Sequence, residues 1–260
     1  MNPRIKKIGR NILFLLSIPG IIGAFVFARS NPQQETLQDI EVDIINTQLS
    51  FITKPNVMAL MQQNGLKIGS SSIHEINVHA LENQLRANPW ISKAELFITA
   101  GRALHIRLEQ RQPVVRLVQT ENNTSDYYLD KNADPIALSD QYIAKVPVVT
   151  APELGYRIHD MKLKRQLAEL AMFIHHDTFW NEMITQISVN EQHEIQLIPV
   201  LGSQLIRLGN TDHLADKMNR LFSFYQKGMA RIDWNRYDEI DLRFAKQIVA
   251  RNTKVAMLKD

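Results

Sequence analysis

Cysteine is absent from the 260 residues. That excludes a disulfide framework, a cysteine nucleophile and any Cys-ligated zinc or iron–sulfur site. The chain also lacks a P-loop, a G-x-G-x-x-G turn, an H-E-x-x-H pair and a G-x-S-x-G elbow, so phosphate cradling, dinucleotide binding, zinc proteolysis and α/β-hydrolase chemistry have no motif behind them. A net positive field is missing as well. The formal charge of +3 comes from 30 basic and 27 acidic residues. Five of the basic ones, Arg4, Lys6, Lys7, Arg10 and Arg29, fall in the first 29 residues, which hold no acid. The remainder carries 25 basic and 27 acidic residues, so nothing draws it to phosphate and no nucleic-acid partner is expected. There is no internal repeat and no low-complexity stretch. The rest, 45% hydrophobic and 22% charged, is the composition of a folded protein of one large or two small domains.

The longest apolar run is Asn11 to Ala28, without a charge. At about 1.5 Å per residue it reaches roughly 27 Å, close to the thickness of a hydrocarbon core. Basic residues precede it and the polar segment 29–36 follows. The positive-inside bias then keeps 1–10 in the cytoplasm and exports everything after Arg29. A cleaved signal peptide has a similar outline, with Val26 and Ala28 as small residues before a cut. The apolar run fills the whole span and Phe25 and Phe27 crowd that site, so the expectation is a transmembrane anchor over 11–28 in contact with the lipid bilayer.

Past the linker, Ile40–Ile44 alternates as a strand. Asn56 is expected to cap a helix from Val57 to Asn64, with Gly65 closing it, and Asn77 to cap a second helix with Leu81 and Leu85 inward. Trp90–Ile98 and Leu104–Leu108 read as strands around a turn at Ala100-Gly101, closed by Pro113. This β-α-α-β-β order, 37–113, suits a three-stranded sheet with two helices. From 114 to 252 short strands dominate: Val114–Thr120, Tyr127–Leu129, Val146–Thr150, Ile184–Val189, Glu194–Ile198, Gln204–Leu208, Glu239–Phe244 and Gln247–Arg251. Pro147 marks its strand as an edge. Two helices, about Asp160–His175 and His213–Met229, join them. Residues 253–260 are a tail. The fold class is α+β.

The polar clusters have modest readings. His175 and His176 near a helix end point about 100° apart, which does not suit a shared ion, so with His159, Asp160 and Asp177 they are not taken as a metal site. Ser70, Ser71, Ser72 and His74 read as loop residues. Asp238, Glu239 and Asp241 read as solvated carboxylates on a strand's polar face. Trp90 and the Phe222, Phe224 and Tyr225 group read as core, and Arg111 as an ion pair between two domains. No catalytic residue, cofactor or small-molecule substrate is assigned.

Five segments carry a resemblance. Asn88-Pro89-Trp90-Ile91-Ser92-Lys93-Ala94-Glu95-Leu96 resembles a "PWV-x-x-A-x-V" passage. Ile106-Arg107-Leu108-Glu109-Gln110-Arg111-Gln112-Pro113 resembles "I-x-V-x-E-R-x-P", with Gln110 for Glu. Tyr127-Tyr128-Leu129-Asp130 resembles the opening strand of a β domain, with Ala133 where Gly is usual. Ile206-Arg207-Leu208-Gly209 resembles "V-x-L-G", and Ile240-Asp241-Leu242-Arg243-Phe244 resembles "V-D-L-R-Y", with Phe244 for Tyr. In this order behind an anchor they resemble the FtsQ/DivIB cell-division proteins. The resemblance implies a POTRA domain followed by a β domain, no enzymatic chemistry, and a scaffold at the division septum of the inner membrane that binds FtsB-like and FtsL-like single-span proteins. The other function weighed is a POTRA-type chaperone or translocation component for unfolded polypeptides. Few residues follow Gln247–Arg251, so that strand is expected to be an open sheet edge. In the family FtsB adds a strand there, which makes Phe244, Gln247, Ile248, Val249, Ala250 and Arg251 the implied partner-binding residues. Phe244 either helps hold the partner or continues the Ile240/Leu242 core face.

An anchor over 11–28 predicts that the mature protein keeps its N-terminus and stays with membranes after a salt wash. A new N-terminus near Arg29, found by mass spectrometry, would establish cleavage instead.

Overall fold

A computed structural model describes residues 35–118, 126–151, 158–227 and 236–252. The apolar run at 11–28 lies outside these residues. Among the described residues no helix is long and apolar enough to cross a membrane. Chain contacts divide the protein into two compact units, and the division interleaves. Thr53–Ala87 and Lys93–Leu108 join the residues up to Ile45 in the first unit, whereas Asn46–Ile52, Asn88–Ser92 and Glu109 onward form the second.

The first unit is built on β1 (Asp39–Ile45), α1 (Lys54–Gln63), α2 (Val78–Arg86) and most of β2 (Ile91–Ile98) and β3 (Ala103–Gln110), with sheet order β1-β3-β2. Alternation places Ile40, Val42 and Ile44 of β1 and Leu104, Ile106 and Leu108 of β3 inside, as period-two side chains require. Val57 and Met61 of α1 and Leu81 and Leu85 of α2 are buried too. Asn77 caps α2 through the Ala80 N–H at 3.0 Å. The start of α1 differs from expectation: Thr53 is the cap, Pro55 sits in the first turn, and Asn56 completes a capping box by accepting the Thr53 N–H. Proline fits a position whose N–H has no helical partner, so the helix begins ahead of Asn56.

The second unit holds a nine-stranded sheet. Its strands are β4 (Pro113–Val118), β5 (Tyr127–Asp130), β6 (Pro135–Ala137), β7 (Val148–Thr150), β8 (Ile184–Val189), β9 (Ile195–Pro199), β10 (Leu205–Gly209), β11 (Glu239–Asp241) and β12 (Val249–Arg251), in the order β12-β11-β10-β9-β8-β7-β4-β5-β6. Pro113 therefore opens a strand rather than closing one. Pairings β4/β7, β7/β8 and β10/β11 are parallel. Parallel neighbours need long crossovers. α3 (Met161–His176) and α4 (Thr178–Met183) supply the one between β7 and β8, and α5 (Leu214–Lys227) the one between β10 and β11. The six-residue α4 and the strand β6 have no counterpart in the sequence reading, because each is too short to show a period.

β7 is the clearest correction, for it lies in the interior of the sheet and not at an edge. Pro147 stands one residue before it, where its missing N–H costs nothing, and its carbonyl accepts the Arg116 N–H at 2.9 Å. One face of the sheet and the three helices among the described residues share a core. It includes Leu163, Leu167, Leu170 and Ile174 of α3, Met218 and Leu221 of α5, and Val149, Leu197, Leu208, Ile240 and Leu242. Ile184 and Ile187 are three residues apart yet both enter it, because the β8/β9 register shifts between Ile184 and Gln186.

β5 is buried on both faces. Tyr127 and Leu129 face the main core, whereas Tyr128 joins Phe51, Ile136 and Ala144 in a second cluster. Phe51 stacks on Trp90 with centroids 4.5 Å apart and meets Tyr142 edge-on at 4.8 Å. Gln110 anchors this cluster's loop. Its amide oxygen accepts the Ile52 N–H at 2.9 Å, and its nitrogen donates to the carbonyls of Leu49 at 2.9 Å and Asn46 at 3.3 Å. A carboxylate has no N–H to offer those two carbonyls, which accounts for glutamine where the resembling motif has glutamate. Gln110→Glu is predicted to cost about 2 kcal/mol or more, by leaving a buried charge against two carbonyl oxygens. Urea unfolding at neutral pH checks it, and an unchanged midpoint would overturn the account.

Candidate functional site

β10 and β11 bring two of the sequence motifs together. Ile206 and Arg207 pair in parallel with Ile240 and Asp241, and the Leu242 N–H donates to the Arg207 carbonyl at 2.9 Å. Asp241 is fully buried, which corrects its reading as a solvated carboxylate. Arg243 donates to it twice through the guanidinium, Nε to Oδ1 at 3.0 Å and Nη2 to Oδ2 at 2.7 Å, and its backbone N–H donates to Oδ1 at 3.0 Å. The third nitrogen, Nη1, reaches both oxygens of Glu194 in the turn before β9, at 2.9 and 3.0 Å. Burial alone would raise the Asp241 carboxyl. The side-chain and backbone hydrogen bonds from Arg243, with its charge, hold it below the ordinary carboxylate range instead.

Gly209 completes the arrangement. It has φ +77°, and a Cβ there would come within 2.9 Å of Arg243 Cγ, so both conformation and space demand glycine. The register of β10 against β9 also shifts between Arg207 and Gly209. Beside this pair, Lys217 sits buried with its ammonium donating to the Leu208 and Asn210 carbonyls at 3.0 and 2.9 Å. Burial lowers its pKa against the opposing pull of Asp212.

The capture of the Arg243 N–H by Asp241 is also why β11 is short. A ladder would need that N–H, so the expected strand Glu239–Phe244 stops at Asp241. Residues 242–248 then turn back, with Lys246 at φ +63°. Arg220 of α5 steadies this turn, Nη2 donating to the carbonyls of Leu242 at 3.3 Å and Phe244 at 3.4 Å. Phe244 is 42% exposed and does not continue the core face of Ile240 and Leu242.

β12 returns antiparallel to β11, with Val249, Ala250 and Arg251 opposite Asp241, Ile240 and Glu239. It lies at one end of the sheet order. Gln247 and Ile248 belong to the turn, and Ile248 packs partly on the core. Glu239 is shared by Arg207 at 3.0 Å and Arg251 at 3.2 Å. Of the six expected partner residues, three thus form the edge strand and three lie in the turn leading to it. Sequence reading missed Glu194, Arg207 and Arg220, whose roles depend on contacts across distant segments.

The other candidates are used locally. Asp160 caps α3 through the Lys162 N–H at 2.8 Å, and Asp177 caps α4 through the Trp180 N–H at 3.1 Å. The rings of His175 and His176 sit edge to face, 5.8 Å apart, and His159 is exposed. Among the described residues no three His, Cys, Asp or Glu side chains gather as a metal site. Ser71 accepts the Lys67 N–H at 2.8 Å, while His74 lies near Glu35 at 3.6 Å. Arg111 reaches Asp130 at 4.0 Å, and both belong to the second unit.

Comparison with known proteins gives concordant matches. The family profile "FtsQ/DivIB, C-terminal related" matches residues 112–251, and a POTRA-like profile matches 29–109. Over 184 residues the chain is 25% identical to the cell division protein FtsQ of Geotalea daltonii, an alignment covering 68% of this chain and 64% of that protein.

The depressed Asp241 carboxyl stabilises the fold fully above the unfolded carboxyl's pKa of about 3.9 and loses that contribution as pH falls through its lower folded value. Asp241→Asn is therefore predicted to cost about 3 kcal/mol at pH 7 and to flatten the loss of stability below about pH 4. Denaturant titrations across pH check both, and equal stability of the two proteins at pH 7 would remove Asp241 from the account.

Proposed function

This chain belongs to the FtsQ/DivIB C-terminal-related family, and from that premise we propose that it is a non-enzymatic, membrane-anchored scaffold of the bacterial division machinery that docks a partner strand on β12. It sits in the inner membrane at the septum through residues 11–28, with its N-terminus cytoplasmic and both units exported. FtsB-like and FtsL-like single-span proteins are its partners. The observation that carries this reading is the difference between the two edges of the large sheet. The β6 edge begins with Pro135, and proline blunts an edge by removing a donor. The β12 edge has no proline. It is held in place by the Arg243 and Arg220 contacts to the turn before it, so its backbone is ready to pair. The buried carboxylates and cations support a scaffold in the same way, since each is engaged in holding strands and turns together.

Successive N–H groups of an antiparallel strand point alternately to the neighbour and to the open side, so one of Val249 and Ala250 faces outward. Val249→Pro and Ala250→Pro, each confirmed as folded by circular dichroism, are predicted to include a variant that retains at most about a tenth of the co-purifying FtsB-like partner. Phe244→Ala lowers retention and Gln192→Ala leaves it unchanged. If both proline variants fold and retain the partner at the wild-type level, β12 is not the docking strand.

A further inference from the structure

In the first unit β2 lies at one end of its sheet, so one of its sides has no neighbouring strand. The β2–β3 hairpin decides which groups face that side. The Thr99 N–H donates to the Ala103 carbonyl at 2.9 Å, and the side chains of Phe97 and Glu95 meet those of His105 and Arg107 across the pair. Thr99, Phe97 and Glu95 therefore turn their backbone groups towards β3, and the alternate residues Leu96 and Ala94 turn theirs to the open side. Both of those residues are nevertheless engaged there. The Glu82 carboxylate of α2 accepts the Leu96 N–H at 3.1 Å, and the Arg86 guanidinium donates to the Ala94 carbonyl at 2.9 Å. Glu82 and Arg86 stand one turn apart on α2, each directly after a buried leucine, Leu81 or Leu85. The helix face that packs on the sheet thus carries them to the strand's margin. The second Glu82 oxygen lies 3.4 Å from the same Arg86 nitrogen, and the Glu82 side chain is only 17% exposed.

We infer that Glu82 and Arg86 form a latch that closes β2 to strand addition, and that the strand it excludes is β2 of a second copy of this chain. A neighbouring strand would offer an acceptor to the Leu96 N–H and a donor to the Ala94 carbonyl. The ion pair supplies both, so it stands in for that strand. β2 contains no proline to blunt its edge, and a bare edge is a template for pairing. Charge identifies the excluded strand. An antiparallel pair of β2 strands centred on Ala94 sets exposed Lys93 of each copy opposite exposed Glu95 of the other, giving two favourable cross-strand pairs. Centred on Glu95, the same pair would set like charges together. The latch involves no residue of β12 and does not depend on what docks there.

The test uses the full chain in detergent. In Glu82→Ala with Arg86→Ala, shown to be folded by circular dichroism, the Leu96 amide is expected to exchange with deuterium about tenfold faster than in the wild type under dilute conditions, as loss of a hydrogen bond to a charged group implies. On concentration this variant self-associates about tenfold more tightly than the wild type in analytical ultracentrifugation, and adding Lys93→Glu weakens that association. Glu82→Gln with Arg86→Lys keeps an acceptor and a donor, and behaves as the wild type in both measurements. Should the double alanine variant not fold, Glu82→Ala alone reports on the Leu96 amide in the same way. Unchanged Leu96 exchange in the alanine variants overturns the inference. So does faster exchange without tighter self-association, an association indifferent to Lys93→Glu, or a glutamine–lysine pair that opens as the alanine pair does.

Discussion

The pairing of Asp241 with Arg243 governs the second unit's end. A buried carboxylate is costly unless it is paired and hydrogen-bonded. Arg243 supplies the opposite charge and three donors, two guanidinium nitrogens and its own backbone N–H. The same act removes the N–H that would extend β11, so the chain must turn. The remaining guanidinium nitrogen then fixes the turn to Glu194. Gly209 is needed because the stem of Arg243 lies against it. One ion pair thus ends a strand, sets a turn, and places β12 at the margin of the sheet.

Elsewhere the polar groups inside the fold do comparable work. Gln110 holds a loop by accepting one backbone N–H and donating to two carbonyls. Lys217 bridges the carbonyls between β10 and α5. The Thr211–Glu169 bond joins α3 to that same turn. Gln110 and Glu169 join segments far apart in sequence, whereas Lys217 closes a short local connection. This is an arrangement for holding surfaces still. A partner that meets a preformed surface loses less in ordering it.

The two sides of β5 show how the second unit uses its aromatic residues. Tyr127 faces the main core and Tyr128 the smaller cluster with Phe51 and Trp90. A strand covered on both faces loses the apolar/polar alternation of a half-exposed one, and the Tyr-Tyr-Leu run is the sequence trace of that double burial. Trp90, at the corner between α2 and β2, finds its ring partner in Phe51, 39 positions earlier in the chain.

What the sequence by itself determined was local. Strict alternation marked β1 and β3, Asn77 and Asp160 marked helix starts, and the spacing of Leu163, Leu167, Leu170 and Ile174 marked the buried face of α3, because those signals depend on neighbours within a few positions. What only the tertiary structure decided were matters of long-range pairing. Pro147 looked like an edge marker, yet β7 is interior, because its parallel neighbours β4 and β8 arrive from 32 residues before and 38 residues after it. Asp241 looked solvated because alternation places it on the polar face. Its burial follows from Arg243 folding back over it and from Gly209 leaving room, and neither is visible in strand period. The edge itself was anticipated near the chain's end, but its length was set by a side chain capturing a backbone N–H. Periodicity records which face a residue takes, whereas sheet order and charge burial depend on which distant segment arrives to cover it.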